Sequence, residues 1–357
     1  MQVLTDWFRR YFSDPQVVFL SVLLIVIFVV LMTLGQMLTP VLASIVIAYL
    51  LEGLVCFLQR HRWPRLAAVT VVFSLFLLFV VSLLLGVLPL LSRQVTDLVQ
   101  QLPTMISQGQ LVLMELPERY PDLVTADQVQ ELINGIRSEI ANFGQQILSV
   151  SVSSVVSLIT LLVYLILMPL LVFFFLKDKD VILGWFRRYL PRHRAIAGHV
   201  WDDVDRQLSN YVRGKFWEIL IVWVVSFGTF SLFGLNYAML LAVTVGLSVI
   251  VPYIGASVVT VPVVLIAWFQ WGWGPSFIWL TIAYLVIQAL DGNFLVPLLF
   301  SEVVDLHPVA IIVAILVFGG IWGFWGVFFA IPLATLVQAI LVAWPNKAPS
   351  PGLQPKS

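Results

Sequence analysis

Residues 288–308 read QALDGNFLVPLLFSEVVDLHP and gather Asp291, Glu302, Asp305 and His307 in a region otherwise almost free of charge. A carboxylate set among apolar residues can bind a cation, carry a coupling proton or cap the helix beside it. An imidazole can relay protons near neutral pH. Asp291 is the leading candidate. Gly292 lets the chain turn, Asn293 can hydrogen-bond a solute or a freed backbone group, and Pro297 marks where helical hydrogen bonding is interrupted. His307 precedes Pro308, a pairing suited to the first turn of a helix. It is a candidate proton relay or a membrane-edge residue. Glu302 and Asp305 are expected beside it in a solvated cytoplasmic turn.

The surroundings decide what such groups can do. Of 357 residues, 61% are hydrophobic and 11% charged, against roughly 25% charged in ordinary soluble domains. The chain reads as an all-α polytopic membrane protein in contact with a lipid bilayer. Its formal net charge of zero gives no hint of nucleic-acid binding, and its single cysteine, Cys56, excludes a disulfide framework or a cysteine metal cluster. The sequence has no HExxH, GxSxG or Walker A pattern. It therefore reads as a non-enzyme with no cofactor and no metal centre.

A bilayer crossing needs about 20 apolar residues. Candidate spans lie at 17–37, 38–58, 66–92, 152–176 and 216–235, followed by apolar stretches near 237–270, 275–299 and 309–344, about eight segments in all. All 19 Lys and Arg residues fall outside these spans. Arg60, Arg62 and Arg65 lie in the loop at 59–65, and nine basic residues lie between Lys177 and Lys215. Segment 93–150 has three Arg against seven acids. The positive-inside rule then puts the N-terminus, loop 59–65 and segment 177–215 in the cytoplasm. It puts segment 93–150 outside, and both termini inside.

These segments imply six regions. Residues 1–92 form an N-terminal three-helix membrane region, and 93–150 carry extracytoplasmic amphipathic helices. Residues 151–176 form a transmembrane helix, and 177–215 lie along the inner membrane surface as interfacial helices. Residues 216–346 form a C-terminal transport core, and 347–357 a disordered tail. In the second region Val129, Leu132, Ile133, Ile136, Ile140, Phe143 and Ile147 follow three- and four-residue spacing. That stripe suits either packing on its own domain or a subunit contact, so a homo-oligomer is expected. Glu52 is expected as an interface residue or a partner for a loop arginine. Glu218, three residues beyond Lys215, is expected at the membrane interface.

Two apolar stretches of the core are too long for one crossing and contain breakers. Pro252, Tyr253 and Gly255 interrupt residues 236–272; Gly319, Gly320, Gly323 and Gly326, with Pro332 after them, interrupt residues 307–344. Broken helices at membrane depth must be buried in protein or line a wet cavity. Interrupted segments in corresponding positions of a weak repeat point to a transporter's site. Two re-entrant hairpins are expected, with two further full crossings per segment as the rival. The alternative role for the glycines is close helix packing, Gly319 and Gly323 forming a GxxxG.

The blocks PYIGA (252–256), DGNFLVPLLFSEVVDLHP (291–308) and FGGIWGFWGVFFAIPLA (318–334) resemble signature blocks of the autoinducer-2 exporter (AI-2E) family. LKDKD (176–180), NYVRGK (210–215) and LFGLNY (232–237) resemble its PerM-type permease branch. The resemblance covers about residues 10–345. It implies a bacterial inner-membrane transport protein of about eight apolar segments, in a family linked to export of autoinducer-2 and, in some relatives, to sodium or lithium exchange for protons. Many members have Glu where this chain has Asp291, so the carboxylate is kept on an arm one methylene shorter. The resulting expectation is a secondary permease for a small solute, working by alternating access. A sodium or lithium/proton antiporter and a non-transporting membrane scaffold are the alternatives.

Overall fold

The computed structural model describes residues 15–119, 127–139 apart from 132 and 136, 155–189, 195–252, 254–300 and 306–343. Among these residues the fold is all helix, with no strand. Helix α1 is Pro15–Arg60, and α2 is Arg65–Ser82. A π-helical segment Leu83–Val87 leads into α3, Leu88–Arg119. Helices α4 (Val155–Lys177), α5 (Lys179–Tyr189) and α6 (Ala195–Phe233) follow. Next come α7 (Ala238–Ser248), α8 (Ile254–Trp271) and α9 (Pro275–Leu290). A second π-helical segment, Asp291–Leu295, joins α9 to α10 (Val296–Phe300), and the chain ends with α11 (Pro308–Trp322), α12 (Phe324–Phe328) and α13 (Ala330–Ala343).

Five of these helical runs are long and apolar enough to cross a membrane: Met37–Arg60, Arg65–Met114, Asp205–Phe233, Ile254–Trp271 and Pro275–Phe300. Val163–Lys177, Ala238–Ser248 and Pro308–Trp322 are shorter apolar helices. The protein is thus an all-α polytopic membrane protein.

Two expected helix ends are absent. Residues 17–37 and 38–58 form one 46-residue helix, with Pro40 inside it. At 1.5 Å per residue that helix is roughly 69 Å long. A reversal at 37/38 would need a polar turn, and TLGQMLTP, with Gly35 and Pro40, has no Asn, Asp or Ser to make one. The charge argument for a cytoplasmic N-terminus depended on that reversal; the arguments for loop 59–65 and segment 177–215 do not. No helix end falls at 215/216 either. Helix α6 runs unbroken for 39 residues, so an interfacial helix and the following span are one element, and Lys215 lies within the apolar stretch Asp205–Phe233.

Both π-helical segments have the same local cause. Each is five residues long and ends two residues before a proline, Pro89 or Pro297. Proline lacks an N–H and its ring crowds the carbonyl four residues back, and a wider turn relieves that crowding. At the second segment Asn293 Nδ2 donates to the Ala289 carbonyl at 2.8 Å, so this side chain serves its own helix.

Contacts divide the chain into two compact units. One comprises Met1–Gly53, Phe174–Gly214 and Phe300–Ser357; the other comprises Leu54–Phe173 and Lys215–Leu299. The second holds an apolar core in which Phe230, Val245, Val263, Leu280 and Tyr284 are buried. In lipid, helices associate by close packing rather than by a hydrophobic drive. Gly246 shows this directly: a Cβ there would stand 2.8 Å from Trp223 Cβ and 3.0 Å from the Ile219 carbonyl. Gln94 on α3 caps α7 by accepting from the Leu240 N–H at 2.8 Å. Of the amphipathic stripe, Val129 and Ile133 are buried within the chain, which favours packing on its own domain over a subunit contact for these two. Leu132, Ile136, Ile140, Phe143 and Ile147 lie outside the described residues, as does the tail 347–357.

Candidate functional site

Helices α7 and α8 form a helical hairpin. At its base, Gln270 near the end of α8 accepts from the Asn236 N–H and donates to the Gly234 carbonyl, both at 2.8 Å. At its turn, a Cβ on Gly255 would overlap the Ser248 carbonyl. Only glycine lets the first turn of α8 sit on the last turn of α7. Helix α7 has 11 residues, roughly 16 Å, about half the hydrocarbon thickness. The expected break at Pro252–Gly255 is therefore a hairpin turn. Tyr253 falls outside the described residues.

An ion pair is fastened to this turn. Lys215 Nζ lies 2.7 Å from Glu218 Oε2 and 2.7 Å from the Val249 carbonyl. Helix α7 ends at Ser248, so the Val249 carbonyl is among those a helix C-terminus leaves without intrahelical partners. Lys215 and Glu218 are 4% and 2% exposed. Glu218, expected at the membrane interface, is instead buried within the protein. The i,i+3 spacing of the pair at the head of an apolar run was the available signal. Asp291 lies in the electrostatic field of this pair. Its Oδ1 is buried with no hydrogen-bond partner among the described residues.

A neutral hydrogen-bonded chain runs from the hairpin to α9. Thr260 Oγ1 is 3.1 Å from Tyr284 Oη, and Gln288 Nε2 donates to that oxygen at 2.7 Å. Tyr284, Gln288 and Asp291 follow at i, i+4 and i+7, one face of a helix. The sequence reading missed Thr260, Tyr284 and Gln288, although this spacing could have found the last two.

The other predicted residues serve different ends. Asn293 and Pro297 are exposed, Asn293 within the π-helical segment and Pro297 in α10 just after it. His307 is the N-cap of α11, exposed, its Nδ1 accepting from the Val309 N–H at 3.3 Å. Glu302 and Asp305 lie outside the described residues.

The glycine block lies in the other compact unit. Helix α11 ends at Gly323, whose φ of 59° and ψ of −131° suit glycine alone. A Cβ on Gly326 would overlap the Phe318 carbonyl, and one on Gly319 would meet Val327 Cγ2 at 2.8 Å. Gly319 thus serves the turn of its own hairpin, while Gly320 has open space around its missing Cβ. Tyr211, buried on α6, donates to the Phe328 carbonyl at 2.8 Å. A cavity of ≈650 Å³ in this unit is lined by Thr39, Tyr49, Trp322, Gly323, Trp325 and Phe329, among others. Size and mixed aromatic lining are those of small-molecule sites. Tyr49 donates to Asp205 Oδ1 at 2.6 Å, and Glu52 pairs with Lys179 at 3.2 Å.

A family model for AI-2E family transporters matches residues 19–346. The chain is a member of the AI-2E transporter family. It is 46% identical over 346 residues to a protein of Escherichia coli K12 named as the permease PerM, covering 97% of this chain and 98% of that one. It is 25% identical over 313 residues to a Bacillus subtilis protein named as the transport protein YueF, covering 85% and 83%. A Thermotoga maritima transport protein is 20% identical over 330 residues, covering 92% and 94%. AI-2E membership supports a role in transport and a multi-pass membrane location.

Proposed function

We propose that this protein is a secondary permease for a small solute of the bacterial inner membrane, working by alternating access. One observation carries the reading: a buried ion pair, Lys215 and Glu218, is fastened to the turn of a broken helix, with Asp291 in its electrostatic field. Irregular backbone and deep charge are costly in lipid and are retained where a pathway needs them. The cavity beside Trp322 and Trp325 supplies a chamber of suitable size for a solute. Asp291 serves coupling or binding, and the glycines of the second hairpin let its helices move as a packed pair. A homo-oligomer and a cytoplasmic C-terminus belong to this proposal.

Purified protein in liposomes should move solute down an imposed gradient without ATP, and Asp291→Asn should remove that movement. Full activity in Asp291→Asn would take Asp291 out of the path. A second reading, an antiporter exchanging sodium or lithium for protons, is favoured by the same deep carboxylates and by the helix-end carbonyl of Val249 that Lys215 holds. A pH-sensitive dye in sodium- or lithium-pulsed liposomes separates the two, since a solute permease gives no cation-driven proton signal.

A further inference from the structure

The loop between α1 and α2 reads QRHRWPR over residues 59–65 and holds three guanidinium groups, on Arg60, Arg62 and Arg65. It joins two helical runs that are each long and apolar enough to cross a membrane, Met37–Arg60 and Arg65–Met114. The loop therefore lies where hydrocarbon gives way to headgroups. Two backbone hydrogen bonds close it. The Trp63 N–H donates to the Leu58 carbonyl at 3.3 Å, and the Arg62 N–H donates to the Gln59 carbonyl at 2.9 Å. These are the paired bonds of a Schellman helix end, whose left-handed residue is usually glycine. Here that residue is Arg62, at a φ of 67°. A residue with a β-carbon is strained in this conformation, and such strain clusters at binding and switch sites. Glycine would close the same helix end without strain, so what the position gains is the arginine side chain.

Nothing local neutralises this charge. No Asp or Glu lies between Glu52 and Asp97, and Arg60 and Arg62, both exposed, form no ion pair among the described residues. His61 is turned back on its own helix, its Nδ1 2.9 Å from the Phe57 carbonyl. The apolar side chains bordering the arginines are exposed as well, Phe57 by 58%, Trp63 by 45% and Leu66 by 60%. Exposed guanidinium groups beside exposed aromatic and aliphatic groups match a phospholipid, a phosphodiester above acyl chains, rather than a soluble phosphate. A guanidinium holds phosphate oxygens through paired N–H donors, and tryptophan settles at headgroup level. We infer that loop 59–65 is a binding site for an anionic phospholipid, with Arg60 and Arg62 on its phosphodiester and Phe57, Trp63 and Leu66 against its acyl chains. A zwitterionic headgroup fits less well, because its quaternary ammonium meets like charge. The bound lipid pins the α1–α2 turn to the membrane surface, whatever the chain transports.

Thermal unfolding of the full-length protein in a neutral detergent, with added phosphatidylglycerol, phosphatidylcholine or glycerol phosphate, tests the site. The wild-type midpoint should rise saturably with phosphatidylglycerol, and with neither of the others at equal phosphate. Arg62→Gly should unfold above wild type without lipid, because glycine relieves the left-handed strain. It should also need about five-fold more phosphatidylglycerol for half the rise, one arginine's share of the attraction. Arg62→Gln loses the charge and keeps the strain, so its lipid affinity should fall alike with no gain in lipid-free detergent. Arg93→Gln, which removes an exposed arginine of α3, should respond to lipid as the wild type does. A phosphatidylglycerol response unchanged in both Arg62 variants, or weakened as much in Arg93→Gln, overturns the site. An equal response to either of the other additives overturns the anionic-lipid assignment. An Arg62→Gly protein no more stable than wild type in lipid-free detergent overturns the strain on which the choice of Arg62 rests.

Discussion

Glu218 Oε2 accepts a hydrogen bond from Lys215 Nζ at 2.7 Å, one turn apart on α6, and neither side chain has appreciable contact with solvent. Breaking such a pair from one side strands a buried charge, at about 3–5 kcal/mol. Replacing both partners with apolar groups is often neutral. Glu218→Leu alone should therefore lower the resistance of the purified protein to denaturant strongly, and Lys215→Met combined with Glu218→Leu should restore most of it. Equal losses in the single and double variants would show that the pair is not the source of the cost.

The two hairpin turns should respond alike to an added methyl. Gly255→Ala and Gly326→Ala each drive a Cβ into a backbone carbonyl that cannot rotate away, of Ser248 and Phe318 respectively. Overpacking of this kind costs about 1–3 kcal/mol. Gly320→Ala and Gly292→Ala, where open space surrounds the missing Cβ, should leave the unfolding midpoint within a degree or two. A Gly255→Ala protein as stable as wild type would refute the close approach at the first turn.

The base of the first hairpin hangs on one side chain. Gln270→Ala removes both the bond from the Asn236 N–H and the bond to the Gly234 carbonyl, each worth about 0.5–1.5 kcal/mol. Hydrogen exchange should speed up at residues 234–240 and remain unchanged at the turn around Gly255. Uniform acceleration along α7 and α8 would mean that the hairpin opens as one body.

Tyr284→Phe keeps the ring in the core and deletes the oxygen shared by Thr260 and Gln288. Stability should fall by about 0.5–1.5 kcal/mol, since Thr260 keeps its bond to the Ala256 carbonyl and the loss falls on Gln288. If the chain of hydroxyl and amide groups orders the face bearing Asp291, solute flux should fall further than stability alone explains. Unchanged flux with lowered stability would confine Tyr284 to a structural role.

Much of this architecture is legible in the sequence, and the reasons are local. Segment lengths and Pro/Gly breakers give the apolar helices and the two interruptions, because a bilayer tolerates so few alternatives. Asp291 stands out because it is alone. Lys215 and Glu218 escaped for the same reason that spans are easy to find: a hydropathy reading pushes charges to the ends of spans, so Lys215 was put outside and Glu218 at the edge. The continuous runs of α1 and α6 escaped because nothing local distinguishes a helix that stops at a membrane surface from one that continues past it. The Tyr284–Gln288 face was visible in its spacing, but Thr260 joins it only through the hairpin.

The π-helical segment at Asp291–Leu295 carries one residue more than the α-helical turn that would replace it. Removing one residue there would let α9 continue as regular helix and would swing everything before it, relative to Val296 onward, by about 100°. The aim of Asp291 is therefore set by a count along the chain as much as by its own side chain. Insertions and deletions within these five residues should be far less tolerated than substitutions, and natural variation in their number would mark proteins in which the acid points elsewhere.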